Sequence, residues 1–295
     1  MIKILIVNLL LLFLISSCVK DVDYKLDFEG SKILVYAEGT ADKPLHVYLT
    51  KTFPPLNEPK NPDSLLIDNA FIEVYENDIL IDTLKNVNNY YKSNFNLKQG
   101  FSYRLKINID NKNLLYSKYD TVPYAAAFID AKVVLTEIDT FEYLSKYYFN
   151  TILKIKKSIK YPYNEIYVKF YFENGQKEIY YYLSSKSDLI ECDGCFNILN
   201  NQCVINLNND LVILNNKMHL NYSQYKISEL DSIKFYLKTY SNIAEKICQA
   251  GIDFEEYYNN PLPFASNPSI DFSNIEGGYG LFMLNNVDSL TIKLK

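Results

Sequence analysis

The 295-residue chain has no tryptophan, nine glycines, ten prolines and two histidines. His46 and His219 stand too far apart to form the paired-histidine zinc motif, and neither lies in a serine or cysteine nucleophile motif. No G-x-S-x-G, phosphate-binding loop or dinucleotide fingerprint occurs. Both histidines therefore read as surface or packed residues. The net charge of −5 leaves no electrostatic footprint for nucleic acid. Carboxylates are plentiful, but none are spaced as a calcium loop, and no pair marks a glycosidase. The chain offers no catalytic signature, and no cofactor or metal is expected.

Beyond the N-terminus there is no second long apolar run. The first one carries a basic Lys3, then Ile4 to Ile15, apolar except for Asn8. A spanning helix needs about 20 apolar residues, so this run is too short and reads as a secretory signal. Its end, Ile15-Ser16-Ser17-Cys18, resembles the bacterial lipobox, in which the thiol is acylated and the cysteine becomes the first mature residue. One acyl chain binds marginally, whereas two or three make attachment effectively permanent. The following "VKDVD" resembles the export signal of surface lipoproteins of Bacteroidota. Residues 1–17 are thus expected to be a signal peptide and 18–28 a lipidated tether, placing the body on the outer membrane, facing the exterior.

What is abundant is aromatic: 27 tyrosines and 17 phenylalanines. With β-branched residues these favour strands. "SKILVYAEG" and "LHVYLTK" are strand-like runs, and "AFIEVYENDILIDTL" is a hairpin about Glu76-Asn77-Asp78. "GFSYRLKINID" alternates, with Phe101, Tyr103, Leu105, Ile107 and Ile109 on one face, as a half-buried antiparallel strand should. "FPPLNEPKNPDS" is a proline-rich loop. "YNEIYVKFYFENGQKEIYYYLSS" is a second hairpin, with Asn174-Gly175 as its tight turn. From Asn242 the period becomes helical, with Ile243, Ile247 and Cys248 on one side.

The fold class expected is all-β. Residues 29–122 form an N-terminal Ig-like β-sandwich, "DTVPYAAA" marks the boundary, and 123–295 form a second β domain with a short helix over about 242–258.

The most specific text is "NPLPFASNPSIDFSNIEGGYGLF". Asn267-Pro268, Ser273-Asn274-Ile275 and Gly277-Gly278-Tyr279-Gly280-Leu281-Phe282 resemble the closing signature of a family of Bacteroidota lipoproteins, domain of unknown function 4249. "KILVYAEG", "DNAFIEVYEND", "QGFSYRLKI" and "DTVP" fall in that family's order. The resemblance implies an all-β outer-membrane lipoprotein, often encoded beside a TonB-dependent receptor, and it brings no catalytic residues. From the residues themselves, the glycines read first as a close-packed turn before a final strand, and second as a ligand-facing loop.

Four cysteines remain after Cys18: Cys192, Cys195, Cys203 and Cys248. In an exported chain an even number reads first as two disulfides, with three connectivities open; Cys195–Cys203 with Cys192–Cys248 is the pairing favoured. A four-thiolate zinc site is the rival reading, and a redox C-x-x-C the third, although the βαβ context it needs is missing.

Together these expectations describe a non-enzymatic, lipid-anchored accessory or binding protein working with a TonB-dependent transporter. A surface structural or adhesive module is the alternative, and a glycan or peptide hydrolase ranks last. Interface cores favour tyrosine over lysine and glutamate. The expected contact residues are Tyr167, Tyr171 and Tyr181 on the 165–183 hairpin, then Gly277, Gly278 and Tyr279.

Overall fold

In the computed structural model the residues described are 30–54, 61–110, 113–141, 144–158, 160, 163–173, 179–182, 204–206, 211–223, 227–243, 246 and 273–294. The first half supplies β1 (Ile33–Thr40), β2 (Pro44–Lys51), β3 (Phe71–Glu76), β4 (Ile79–Thr83), β5 (Lys85–Val87), β6 (Tyr90–Asn96), β7 (Ser102–Ile109), β8 (Asn113–Ser117) and β9 (Asp120–Thr121). The second half supplies β10 (Ala127–Phe141), β11 (Leu144–Lys156), β12 (Tyr163–Phe172), β13 (Ile179–Tyr182) and β14 (Val204–Asn206). It continues through β15 (Leu211–Ser223), β16 (Leu230–Tyr240), β17 (Ile275–Glu276) and β18 (Tyr279–Lys293).

Alternation sets the faces. In β7, Tyr103, Leu105, Ile107 and Ile109 are buried as their spacing dictates, while Phe101 falls just before the strand and stays exposed. The β3–β4 hairpin turns at Asn77 and Asp78, whose φ angles of 46° and 71° lie in the left-handed region that Asn and Asp tolerate.

Among the described residues the strands make three sheets. The largest has the order β13-β12-β16-β18-β1-β2-β6-β5, with β14 also on β12. A six-stranded sheet, β17-β8-β7-β3-β4 with β9 on β7, covers one half of it, and the three-stranded β10-β11-β15 sheet covers the other. Each layer pair encloses its own core. Val35, Val47, Ile72, Tyr103, Leu105 and Leu284 are in the first, and Phe149, Leu153, Val168, Phe170, Phe235 and Leu237 in the second.

The architecture is therefore β-sandwich-like, as expected, but the two halves are not laid out as separate units along the chain. β18 pairs in parallel with β1 and antiparallel with β16, so one sheet runs through both halves. In the first half of β18, Phe282 and Leu284 complete the first core, and near its end Ile292 packs on the second. A parallel pairing needs a long crossover connection. Here the connection is nearly the whole chain. The helix expected over 242–258 lies outside the described residues except at Asn242, Ile243 and Lys246.

Candidate functional site

With Val35 and Ala37 turned into the core, Leu34, Tyr36 and Glu38 must face the other side of the large sheet. Register aligns Leu34 with Tyr279 of β18, Tyr36 with Tyr48 of β2, and Glu38 with His46. Leu34, Tyr36, Tyr48 and Tyr279 are 40%, 46%, 41% and 43% exposed. The rings continue sideways, with Tyr36 to Tyr48 at 6.3 Å, Tyr48 to Tyr90 at 5.6 Å and Tyr90 to His46 at 5.0 Å between centroids. Four large apolar side chains exposed on three adjacent strands form a contiguous patch, which single surface residues do not.

Further along β18 the same face becomes polar and closed. Glu38 accepts from the Tyr36 hydroxyl at 3.0 Å, from Asn285 Nδ2 at 2.9 Å and from Lys238 Nζ. Glu165 on β12 accepts from the buried Tyr240 hydroxyl, and the Lys238 ammonium lies 4.7 Å from the Tyr240 ring centroid. Glu38 belongs to the first half and Lys238, Tyr240 and Glu165 to the second, so this cluster bridges the sheet's seam. Burial, then the Glu38 charge, pushes Tyr36 up to about 12. Burial also raises Glu165 above the usual carboxylate range, against the Lys238 charge and the Tyr240 hydrogen bond.

Beyond the cluster, Tyr167 of β12 stacks on Tyr236 of β16, centroids 4.7 Å apart with planes 4° from parallel. Tyr171 and Tyr236 share a hydrogen bond of 3.0 Å between hydroxyls. Lys234 and Lys169 place their ammoniums 5.0 and 5.4 Å from the Tyr236 ring. Tyr167 and Tyr171 thus both meet Tyr236 on one face. Tyr181 does not join them: it pairs with Val168, while Tyr182 stands opposite Tyr167 and Tyr180 opposite Lys169. Strand parity gives Tyr181 the register position of the other face.

Register also brings Tyr279 onto the face of Tyr167 and Tyr236, ten residues from Ser289, the partner of Tyr236. At ~3.3 Å per residue the two tyrosine groups lie roughly 33 Å apart along β18. Gly277 and Gly278 have a different role. A Cβ on Gly278 would stand 2.4 Å from Leu115 Cδ2 and 2.9 Å from the Ile33 carbonyl, so it is needed for close packing. Gly277, at φ 84°, would meet the Leu114 carbonyl at 2.9 Å.

Sequence reasoning missed Tyr236, Lys238, Glu38, Glu165 and Asn285. The signal was present in "KFYLKTY", whose alternate positions Lys234, Tyr236 and Lys238 stay partly exposed between buried Phe235, Leu237 and Thr239.

At the junction of the two cores, Asp120 is buried. It accepts from Ser241 Oγ and the Leu284 N–H at 2.7 Å each, and from the Thr121 N–H at 2.9 Å. Burial raises its carboxyl to about 7 against these three donors. His46 has a buried, unpartnered Nε2, and burial and then Lys92 lower its pKa. His219 stands opposite Tyr148 in the β11–β15 pairing. The described residues place no hydrogen-bonding partner on His46 Nε2. Those residues also hold no cluster of three metal-ligating side chains and no helix long and apolar enough to cross a membrane. Cys18, Cys192, Cys195, Cys203 and Cys248 lie outside them.

The family described as Domain of unknown function (DUF4249) matches residues 19–291. No curated protein matches the chain. Among solved structures it is similar to the fibronectin(III)-like modules of Clostridium thermocellum CbhA, at 10% identity over 72% of this chain and 86% of that one, with a TM-score of 0.22.

Proposed function

We propose a function for a chain that belongs to the family described as Domain of unknown function (DUF4249): it is a lipid-anchored Bacteroidota protein of the outer-membrane surface that binds rather than catalyses. It docks through the outer face of its large sheet onto a TonB-dependent transporter in the same membrane. The observation that carries this reading is the exposed Leu34–Tyr36–Tyr48–Tyr279 patch. Interface cores are enriched in tyrosine, and contiguous exposed apolar surface marks interaction sites. Tyrosine also presents a large rigid ring at low entropic cost.

Support for the anchor comes from Ile15-Ser16-Ser17-Cys18 and from the family match, whose first residue follows Cys18. Tethering raises the effective concentration of a partner in the same leaflet, so a modest patch suffices. The experiment is purification of the protein, tagged at Lys295, from cells crosslinked while intact. Recovery of a TonB-dependent receptor is the expected result. If none is recovered, and deletion of the protein leaves uptake through neighbouring receptors unchanged, the transporter role is wrong.

A further inference from the structure

The tyrosine patch is part of a longer row. Across the outer face of the large sheet, register lines up Leu281 of β18, Tyr36 of β1 and Tyr48 of β2, and the Tyr48 ring meets Tyr90 of β6. Tyr90 is in turn the register partner of Val87, which is 38% exposed on β5, the edge strand. Five adjacent strands thus each give one apolar or aromatic side chain, a strip roughly 19 Å long at ~4.8 Å per strand. Between Val87 and Tyr90, Asn88 and Asn89 take φ angles of 48° and 74°, the tight hairpin turn that fixes this register.

A second row runs beside the strip on the same face, in the order Glu38, His46, Lys92 and Lys85. Its charge is available at one end. The Glu38 carboxylate is engaged by Tyr36, Asn285 and Lys238. Burial, then the Lys92 charge, lowers the pKa of His46, which leaves the ring neutral at pH 7. Lys92 and Lys85 stand directly opposite each other on paired strands. Like charges at opposed positions destabilise a sheet, and a carboxylate laid between the two ammonium groups turns that repulsion into attraction. Lysine is depleted from interface cores and belongs at the rim, where charge sets orientation and partner choice. The strip has the chemistry of an interface core, and the opposed lysines that of its rim at the β5 end.

We infer that the transporter segment seated on this strip is acidic: it lays apolar side chains across Tyr36, Tyr48, Tyr90 and Val87, and an Asp or Glu carboxylate between Lys85 and Lys92. The inference rests on the docking reading above and adds to it the partner's chemistry and the direction in which it lies.

The test is photocrosslinking in intact cells. A photoreactive residue at Tyr36 reads docking itself, and one at Val87 reads the lysine end of the strip. Receptor adducts from both positions are expected. Peptide mapping should place an Asp or Glu within about three residues of the Val87 crosslink, roughly 10 Å of extended chain. Lys85→Glu/Lys92→Glu should cut the adducts about tenfold or more, and Lys85→Gln/Lys92→Gln about threefold, while Lys132→Glu on β10 leaves them unchanged. Stability gives a separate readout. Lys92→Glu alone puts opposite charges at register partners, so its thermal midpoint should hold or rise while its adducts fall. A lower midpoint together with lost adducts would mark the lysine pair as structural and overturn the inference. Receptor adducts that persist in the Lys85→Glu/Lys92→Glu variant, or a mapped segment without an acidic residue, overturn it and leave the docking reading standing. An adduct from Val87 to a second copy of this chain or to lipid overturns it by giving the strip another occupant. No receptor adduct from either position removes the docking reading, and the inference with it.

Discussion

Tyr167 and Tyr236 lie ring on ring, 4.7 Å between centroids and 4° from parallel, on the outward face of a sheet whose inward face is core. They come from adjacent strands at register partners, so the stack is set by the β12–β16 pairing itself. Stacked aromatic pairs are worth about 0.5–1.5 kcal/mol beyond the area they bury. Tyr236→Ser should therefore lower unfolding free energy by about 1–2 kcal/mol, read from the denaturant midpoint at unchanged slope. A shift beyond about 3 kcal/mol would mean that the ring is a core residue and not a surface one.

Gly280 and Tyr279 are neighbours with opposite roles. Gly280 has φ 128°, and a Cβ there would stand 1.8 Å from the Val35 carbonyl, inside the parallel β1–β18 pairing. Gly280→Ala should cost on the order of 3 kcal/mol or more, or abolish folding. Tyr279→Ser, at an exposed site, should stay within about 0.5 kcal/mol. Thermal melts of the two variants check the contrast, and equal losses would contradict the assigned register.

Asp120 makes stability depend on pH. Its folded-state pKa, about 7, lies above the ordinary 3.8, so the native state holds the proton more tightly than the unfolded chain does. The contribution of this group is fully present below about pH 4, falls as pH rises toward 7, and is flat above that. Asp120→Asn should lower stability overall, since Ser241 and Leu284 donate to one carboxylate oxygen and an amide oriented to serve them turns its NH2 toward the Thr121 N–H, and it should flatten the slope between pH 5 and 8. Denaturant midpoints across that range decide it. A variant with the wild-type slope would show that Asp120 ionises normally despite its burial.

The proposed lipidation of Cys18 makes a chemical prediction. The mature N-terminus should be Cys18 carrying two or three acyl chains, visible by intact-mass measurement, and Cys18→Ser should be absent from the outer-membrane fraction. A mature chain that begins elsewhere and carries no lipid would remove the anchor from this account.

Much of the local structure was legible because alternation is a local property. The β7 face, the β3–β4 turn at Asn77-Asp78 and the final strand all follow from side-chain period and turn chemistry. The place of Tyr181 was legible too. The observed pairing of Tyr167 with Tyr182 is the register that a two-residue turn at Asn174-Gly175 requires, and it assigns Tyr181 to the opposite face. What local pattern could not supply was partner choice. Alternation shows which residues of β1 and β18 face inward, but not that these strands pair in parallel across the length of the chain. For the same reason the Glu38–Lys238 contact, 200 residues apart in sequence, had no signal of its own.

The most direct test of the docking claim is site-specific photocrosslinking in intact cells. A photoreactive residue replaces Tyr36 in one strain, Tyr279 in a second, and Lys132 on the exposed part of β10 in a third. A covalent adduct with the same TonB-dependent receptor is expected from Tyr36 and Tyr279, and none from Lys132. Adducts from Lys132 alone, or no receptor adduct from either tyrosine position at normal protein level, would contradict it.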